Sequence, residues 1–183
     1  MAPFRVFQAH HALEGLVTAK SGARYLVTHQ TPTTAVTGQT SFVATTPTFL
    51  LRQASSSNRL VLNSIVLSQT GTVAGGDIEI VVAIDSVDRF SADGTLVTPQ
   101  CSNSAESNNS SFTFRYNPTA SAAGAGTRYI DHRAVDNVLG SSLVMSYNDG
   151  VVIGATGSIL VYTFAATTGP SWHFTFEVFE ETI

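Results

Sequence analysis

Charge is scarce in this chain of 183 residues: aspartate, glutamate, lysine and arginine make up 12% of it, about half the roughly 25% of an average soluble domain. Lysine occurs once, at Lys20, beside eight arginines, and the net charge is −4. A chain with no basic stripe has little with which to neutralise phosphates, so no nucleic-acid partner is expected. Cysteine also occurs once, at Cys101, which excludes an internal disulfide framework and gives no reason to expect an oxidising route. No run approaches the ~20 apolar residues of a membrane-crossing helix, so no membrane partner is expected. The leading "MAPFRVFQAHHALEGLV" lacks the continuous apolar stretch of a signal peptide. A soluble protein made in a cytoplasm is the expectation.

What is present is apolar and finely punctuated. Hydrophobic residues reach 43%, and serine, threonine, asparagine and glycine supply most of the polarity. A surface poor in charge gains little from long-range repulsion, which suits a protein packed against neighbours. The length fits one domain, because all-β sandwiches of this size often stay undivided.

Alternation of apolar and polar residues predicts strands. Candidates are Arg24–Gln30, Ser41–Gln53 (one strand or two about Pro47), Arg59–Gln69, Asp77–Asp85, Ser111–Tyr116, Ser141–Asn148, Ser158–Ala165 and a closing strand from Ser171. Arg59–Gln69 reads as apolar on both faces, with Leu60, Leu62 and Val66 on one and Val61, Ile65 and Leu67 on the other, hence central. With the turn "TVAGG", it is expected to form a hairpin with Asp77–Asp85. Asp149-Gly150 is a second hairpin signal. In the closing strand Trp172, Phe174, Phe176 and Val178 share a face. Their burial would contribute about 6–12 kcal/mol before entropy is subtracted, so this strand belongs to the core. Two short helices are expected, Ala9–Lys20, weakened by Gly15, and Asp131–Gly140, with Asp131 as cap and Gly140 as stop. "SNSAESNNSS" (Ser102–Ser111) and "TASAAGAGT" (Thr119–Thr127) read as flexible or partner-ordered loops.

Constellations that could carry chemistry are weak, and no enzyme activity, cofactor or metal is expected. Adjacent His10 and His11 diverge and lack the spacing that makes histidines converge on a metal; His29, His132 and His173 do not supply it. Asp131, His132 and Asp136 lack a nucleophile context, so Asp131 is better explained as a helix cap. Asp85 and Asp88 in "IDSVDRF" suggest a turn with an Asp88–Arg89 pairing rather than a calcium site. "GAGAGT" lacks the spacing of a phosphate loop. The sequons at Asn108 and Asn109 indicate an exposed loop and nothing further. Glu177, Glu180 and Glu181 read as charges that discourage an open strand from indiscriminate pairing. Two features lack an internal explanation: Phe179, on the outer side of the closing strand, and the apolar leader with Phe4, Val6 and Phe7. Contacts between subunits would explain both.

The segments "FLLRQASSSNRLVLNSIVLSQTGTVAGGDIEIVVAID" and "SILVYTFAATTGPSWHFTFEVF", about a third of the chain, resemble the jelly-roll structural proteins of viruses. More narrowly they resemble the cement or decoration proteins of tailed-bacteriophage heads. The eight or so closely spaced strands predict an all-β, two-sheet antiparallel β-sandwich over residues 24–183, the apolar leader an N-terminal arm over residues 1–23, and the resemblance implies that the sandwich is jelly-roll-like. It implies a protein made in a host cytoplasm and resident in the virion. There it would bind the major capsid protein and itself, often as a trimer, and strengthen the shell. Phe4, Val6, Phe7 and Phe179 are the expected subunit-interface residues. A receptor- or carbohydrate-binding head of a virion fibre and a major capsid jelly roll are the alternatives.

Overall fold

A computed structural model describes residues 23–71 and 76–183; Phe4, Val6, Phe7, the His10–His11 pair and the helix expected over Ala9–Lys20 lie outside them. Twelve strands are described: β1 Arg24–Thr28, β2 Val36–Thr37, β3 Phe49–Gln53, β4 Asn58–Thr70, β5 Ile78–Asp85, β6 Phe90–Val97, β7 Gln100–Cys101, β8 Phe112–Ala120, β9 Arg128–Val135, β10 Ser142–Ile153, β11 Ser158–Phe164 and β12 Ser171–Thr182. Sheet A runs β10-β4-β12-β1-β7, with β2 also paired to β12, and sheet B runs β6-β8-β3-β11-β5-β9. The chain is an all-β, two-sheet antiparallel sandwich.

The strand order has a simple rule. Set aside β2 and β6–β8, and eight strands remain: β1, β3, β4, β5, then β9, β10, β11, β12. The first pairs with the last (β1–β12), the second with the seventh (β3–β11), the third with the sixth (β4–β10) and the fourth with the fifth (β5–β9). A long antiparallel hairpin rolled about the core gives this pattern, the jelly roll with its two Greek keys. Segment 86–127, at the tip of that hairpin, returns β6 and β8 to widen sheet B beyond β3.

Rolling explains where the local turn signals mislead. β4 and β5 are not a hairpin but lie in opposite sheets, because each arm crosses between sheets at every strand. Asp149-Gly150 does not close a hairpin either. β10 pairs with β4 on both sides of it, and the register jumps between Ser146 and Val151. Gly150 holds a φ of 70° there, and a Cβ would strike the Val61 side chain. The helix expected over Asp131–Gly140 is absent, and Asp131 caps nothing. Residues 128–135 are an edge strand on β5, mostly exposed, so burial never demanded the apolar alternation that reveals a strand. Gly140, at φ 81°, lies in the turn that carries the chain from sheet B back to sheet A.

The face assignment of β4 also changes. Opposite β12 the register shifts between Glu177 and Val178, leaving Asn63 as an inserted residue. This bulge rotates the strand by one position, so Leu60 and Leu62 before it, and Ile65 and Leu67 after it, are all fully buried. Val61 and Val66 face outward together. β12 lies between β4 and β1, and Trp172, Phe174, Phe176 and Val178 enter the core as expected. Phe174 and Phe176 interlock with Phe49 and Phe114 at centroid separations of 4.8–5.4 Å.

Candidate interaction surfaces

Each sheet has an outer wall, and the two are finished differently. On sheet A the pairings place side chains in cross-strand rows: Val152, Val61, Phe179 and Arg24; Ser146, Ser64, Glu177 and Leu26; Val144, Val66, Thr175 and Thr28. Val144 is 56% exposed and Val152 47%, while Val61, Val66 and Phe179 are half-buried. Between the two rows that carry the valines runs a more polar one, ending at Leu26. The Glu177 carboxylate pairs with the Arg24 guanidinium and accepts hydrogen bonds from Asn63 Nδ2 at 2.7 Å and Ser64 Oγ at 3.2 Å. Phe179 therefore lies on the outer wall, extended by Val61 and Val152. Those two, with Val144 and Val66, are the wall residues that sequence reasoning missed; the Asn63 bulge hid the Val61–Val66 pair, since unbroken alternation splits them, and Val152 lies beyond Asn148, where the expected strand stops.

Sheet B has its own cover. Leu50, Val81, Ala83, Ala120, Leu160 and Tyr162 form a second buried apolar cluster, with Phe90 and Phe164 packed on it. Arg52 and Arg115 stack over the Phe90 ring at 4.8 and 4.7 Å. The segment around Phe42 lies over the other end, where Tyr162 Oη donates to the Ala44 carbonyl at 2.9 Å. Burial raises the Tyr162 phenol well above its ordinary pKa, so it remains a donor.

The acidic residues singled out in the sequence are occupied within the fold. Asp85, fully buried at the end of β5, accepts from Arg89 Nε at 2.7 Å, from the Thr127 hydroxyl and from Val87 N at 3.0 Å. Burial by itself would raise this carboxyl, but the hydrogen bonds from Arg89, Thr127 and Val87 outweigh it and hold it below the usual carboxylate value. The expected Asp88–Arg89 pairing is replaced: Arg89 is drawn inward to Asp85, and Asp88 pairs with Arg52 at 2.6 Å. Arg89 also donates to the Ala122 carbonyl at 3.1 Å. The glycine-alanine loop is thus tethered at Ala122 and Thr127 while its tip is exposed. The serine-asparagine loop likewise holds itself, through Asn108 bonds to Cys101 N and Gln100.

Glu180 is no edge charge. It faces the core, only 8% exposed, and accepts from Gln53 Nε2 at 3.1 Å and from the Ser111 amide and hydroxyl. Because β12 is interior, its glutamates serve other ends: Glu177 pairs with Arg24, and Glu181 with Arg59 at 2.6 Å. Asp131 binds Arg133 at 3.1 Å and accepts from Tyr147 Oη at 3.3 Å, whereas His132 turns to Glu79 at 2.6 Å. His29 packs on Tyr116 and Phe174, and His173 lies on the outer wall of sheet A. These histidines are not brought together. Among the described residues, no three histidine, cysteine or carboxylate side chains are placed to share a metal ion, and no helix is long and apolar enough to cross a membrane.

One further feature interrupts the cover of sheet B. Phe42 is 40% exposed and Tyr129 51%; their rings meet edge to face, 6.0 Å apart at 68°. Beside Phe42 opens a hollow of about 440 Å³, lined among others by Thr40, Ser41, Asp77, Glu79 and Phe164.

No family model matches the chain, and no curated protein matches it. Among solved structures, a similar one is the 2.6 Å structure of infectious bursal virus derived T=1 particles. The identity is 14% and the TM-score 0.24, over 87% of this chain and 40% of that one. The present chain thus spans about two-fifths of that chain's length, and a likeness at this score carries no inference about role.

Proposed function

We propose that this chain is a structural protein of a virion, of the cement or decoration kind, whose work is to bind other protein subunits. The observation that carries the reading is the outer wall of sheet A. There Val152, Val61 and Phe179 form one apolar row and Val144 and Val66 another, on either side of Glu177, whose carboxylate is paired by Arg24 at the end of the first row. A wall meant only for water would be polar on that face, as the alternation rule demands of a sheet solvated on one side. The paired charge between the apolar rows supplies orientation, and the scarcity of charge elsewhere removes repulsion between close copies. The jelly roll fits this role without requiring it, since one fold hosts many functions.

Such a protein strengthens a shell by mass action. If it binds only the assembled lattice, it stabilises that state by about 2.7 kcal/mol at a hundredfold excess over its Kd. Copies repeated by symmetry multiply modest contacts. Phe179 belongs to this surface directly. Phe4, Val6 and Phe7 extend it in the proposal as an arm laid on a neighbouring copy, in an assembly where a trimer is favoured and the major capsid protein is the partner. No catalytic role is included.

Sedimentation of the full chain tests the reading. Expected is a concentration-dependent oligomer, shifted toward monomer by Val152→Asp with Val144→Asp. A wild-type protein that stays monomeric at high concentration overturns it. Closed particles formed by the chain alone would favour the major-shell role instead.

A further inference from the structure

We propose that the Phe42–Tyr129 corner on the outer face of sheet B, with the hollow beside it, is a binding site for a neutral oligosaccharide of at least two rings. The proposal is independent of the assembly reading, which concerns the opposite wall.

The argument begins with what is exposed and what surrounds it. Tyr129 on β9 and Phe42 from the covering segment present half-exposed rings to solvent, and Phe42 is buttressed by Tyr162 at 4.9 Å and Phe164 at 5.9 Å. These contacts fix the ring position, so little side-chain entropy remains to be lost on binding. The rings lead toward carboxylates. Tyr129 pairs with Ala83 of β5, His132 with Val81, and Glu79 stands one row further along the same face. His132 contacts Glu79 at 2.6 Å, and Asp77 continues the hollow's wall. From Ala83 to Glu79 is four residues, roughly 13 Å at the rise of a strand, a span that two linked sugar rings can bridge.

Chemistry narrows the occupant. A flat apolar partner would cover the rings but also strip water from the Asp77 and Glu79 carboxylates without replacing it, which is costly. A pyranose presents an apolar C–H face for an aromatic ring and hydroxyl donors for a carboxylate. The largely apolar lining of the hollow, with Thr40 and Ser41 as its uncharged polar residues, suits a ligand that is apolar on one face and hydroxylated on the other. The same carboxylates, on a chain of net charge −4, disfavour sialylated or uronic sugars. The site is therefore complementary to neutral hexoses.

The test uses the full chain with lactose, maltotriose, mannotriose and chitotriose, and with sialyllactose as the charged counterpart, read by saturation-transfer NMR and calorimetry. At least one neutral sugar is expected to bind saturably with a Kd of about 1 mM or tighter, and lactose at least as well as sialyllactose. Tyr129→Ala and Glu79→Ala, both at accessible positions, should each weaken binding about tenfold or more with the melting temperature unchanged. Absence of saturable binding by every neutral sugar overturns the proposal. So does binding that Tyr129→Ala leaves intact, or a preference for sialyllactose. Sedimentation of the same samples reports on the opposite wall separately.

Discussion

The two outer walls of this sandwich are made of similar strands and end differently. Sheet B carries a second apolar layer of Leu50, Val81, Ala83, Leu160 and Tyr162, closed over by the chain's own Phe42 segment and by Phe90 beneath two arginines. Sheet A carries apolar rows of its own, and Val144 and Val152 remain about half exposed. Where the fold has apolar surface to spare, it can cover it from within or leave it for a partner. Among the described residues this molecule does each on one side, which makes the half-exposed wall of sheet A informative.

The comparison can be broken first at Asp85, which clips the 86–89 turn and Thr127 to the end of β5. Asp85→Ala leaves the Arg89 guanidinium, largely buried, without its partner, and about 3–5 kcal/mol of stability should be lost in urea unfolding. The wild-type contribution has a definite pH window. The folded carboxyl is held below its ordinary value, so its stabilisation is fully present above the unfolded value of about 3.9. It fades as pH falls through the lower folded value. In Asp85→Ala this part of the acid dependence should vanish. Next, Leu160→Ala, fully within the covered layer, should cost about 3 kcal/mol by calorimetry. Tyr162→Phe removes the bond to the Ala44 carbonyl and should cost about 1 kcal/mol, with faster hydrogen exchange over residues 40–46.

The smallest effect on stability sharpens the comparison most. Val144→Ser with Val152→Ser, on the bare wall, should change stability by no more than about 0.5 kcal/mol each while weakening self-association in sedimentation. A loss as large as that of Leu160→Ala would mean that the wall of sheet A is covered by the chain itself, and the contrast would fail.

How much of this could be read in advance depended on how local the cause was. β12 and β5 were legible because Trp172 to Val178 and Ile78 to Ile84 each bury a full alternate set. β9 was not, since an exposed edge strand has no apolar set to bury and its Asp131 and Gly140 mimic helix signals. β6 hid for a related reason: Asp93 and Gly94, at φ 58° and 73°, look like a terminus yet sit inside a bulged strand. Phe179 is legible on the outer side of its strand, but Val61 is not, because a bulge is set by the facing strand, and Val152 is not, because Asp149-Gly150 mimics the end of β10. The acidic residues misled most. Asp88 and Glu180 take their partners from Arg52 and Ser111, distant in the chain, while Asp131 binds Arg133 two residues on and Tyr147 of the following strand.

Composition and period-two alternation therefore determined that the chain from Arg24 onward is built mainly of strands in a two-sheet sandwich and that its closing strand lies in the core, because burial of alternate side chains is written locally. Which strands face each other, which wall is left bare and which carboxylate meets which arginine were decided only by the rolled topology. Most depend on residues far apart in the chain, such as Arg52 with Asp88 or Arg24 with Glu177, about which neither segment holds information until the other arrives.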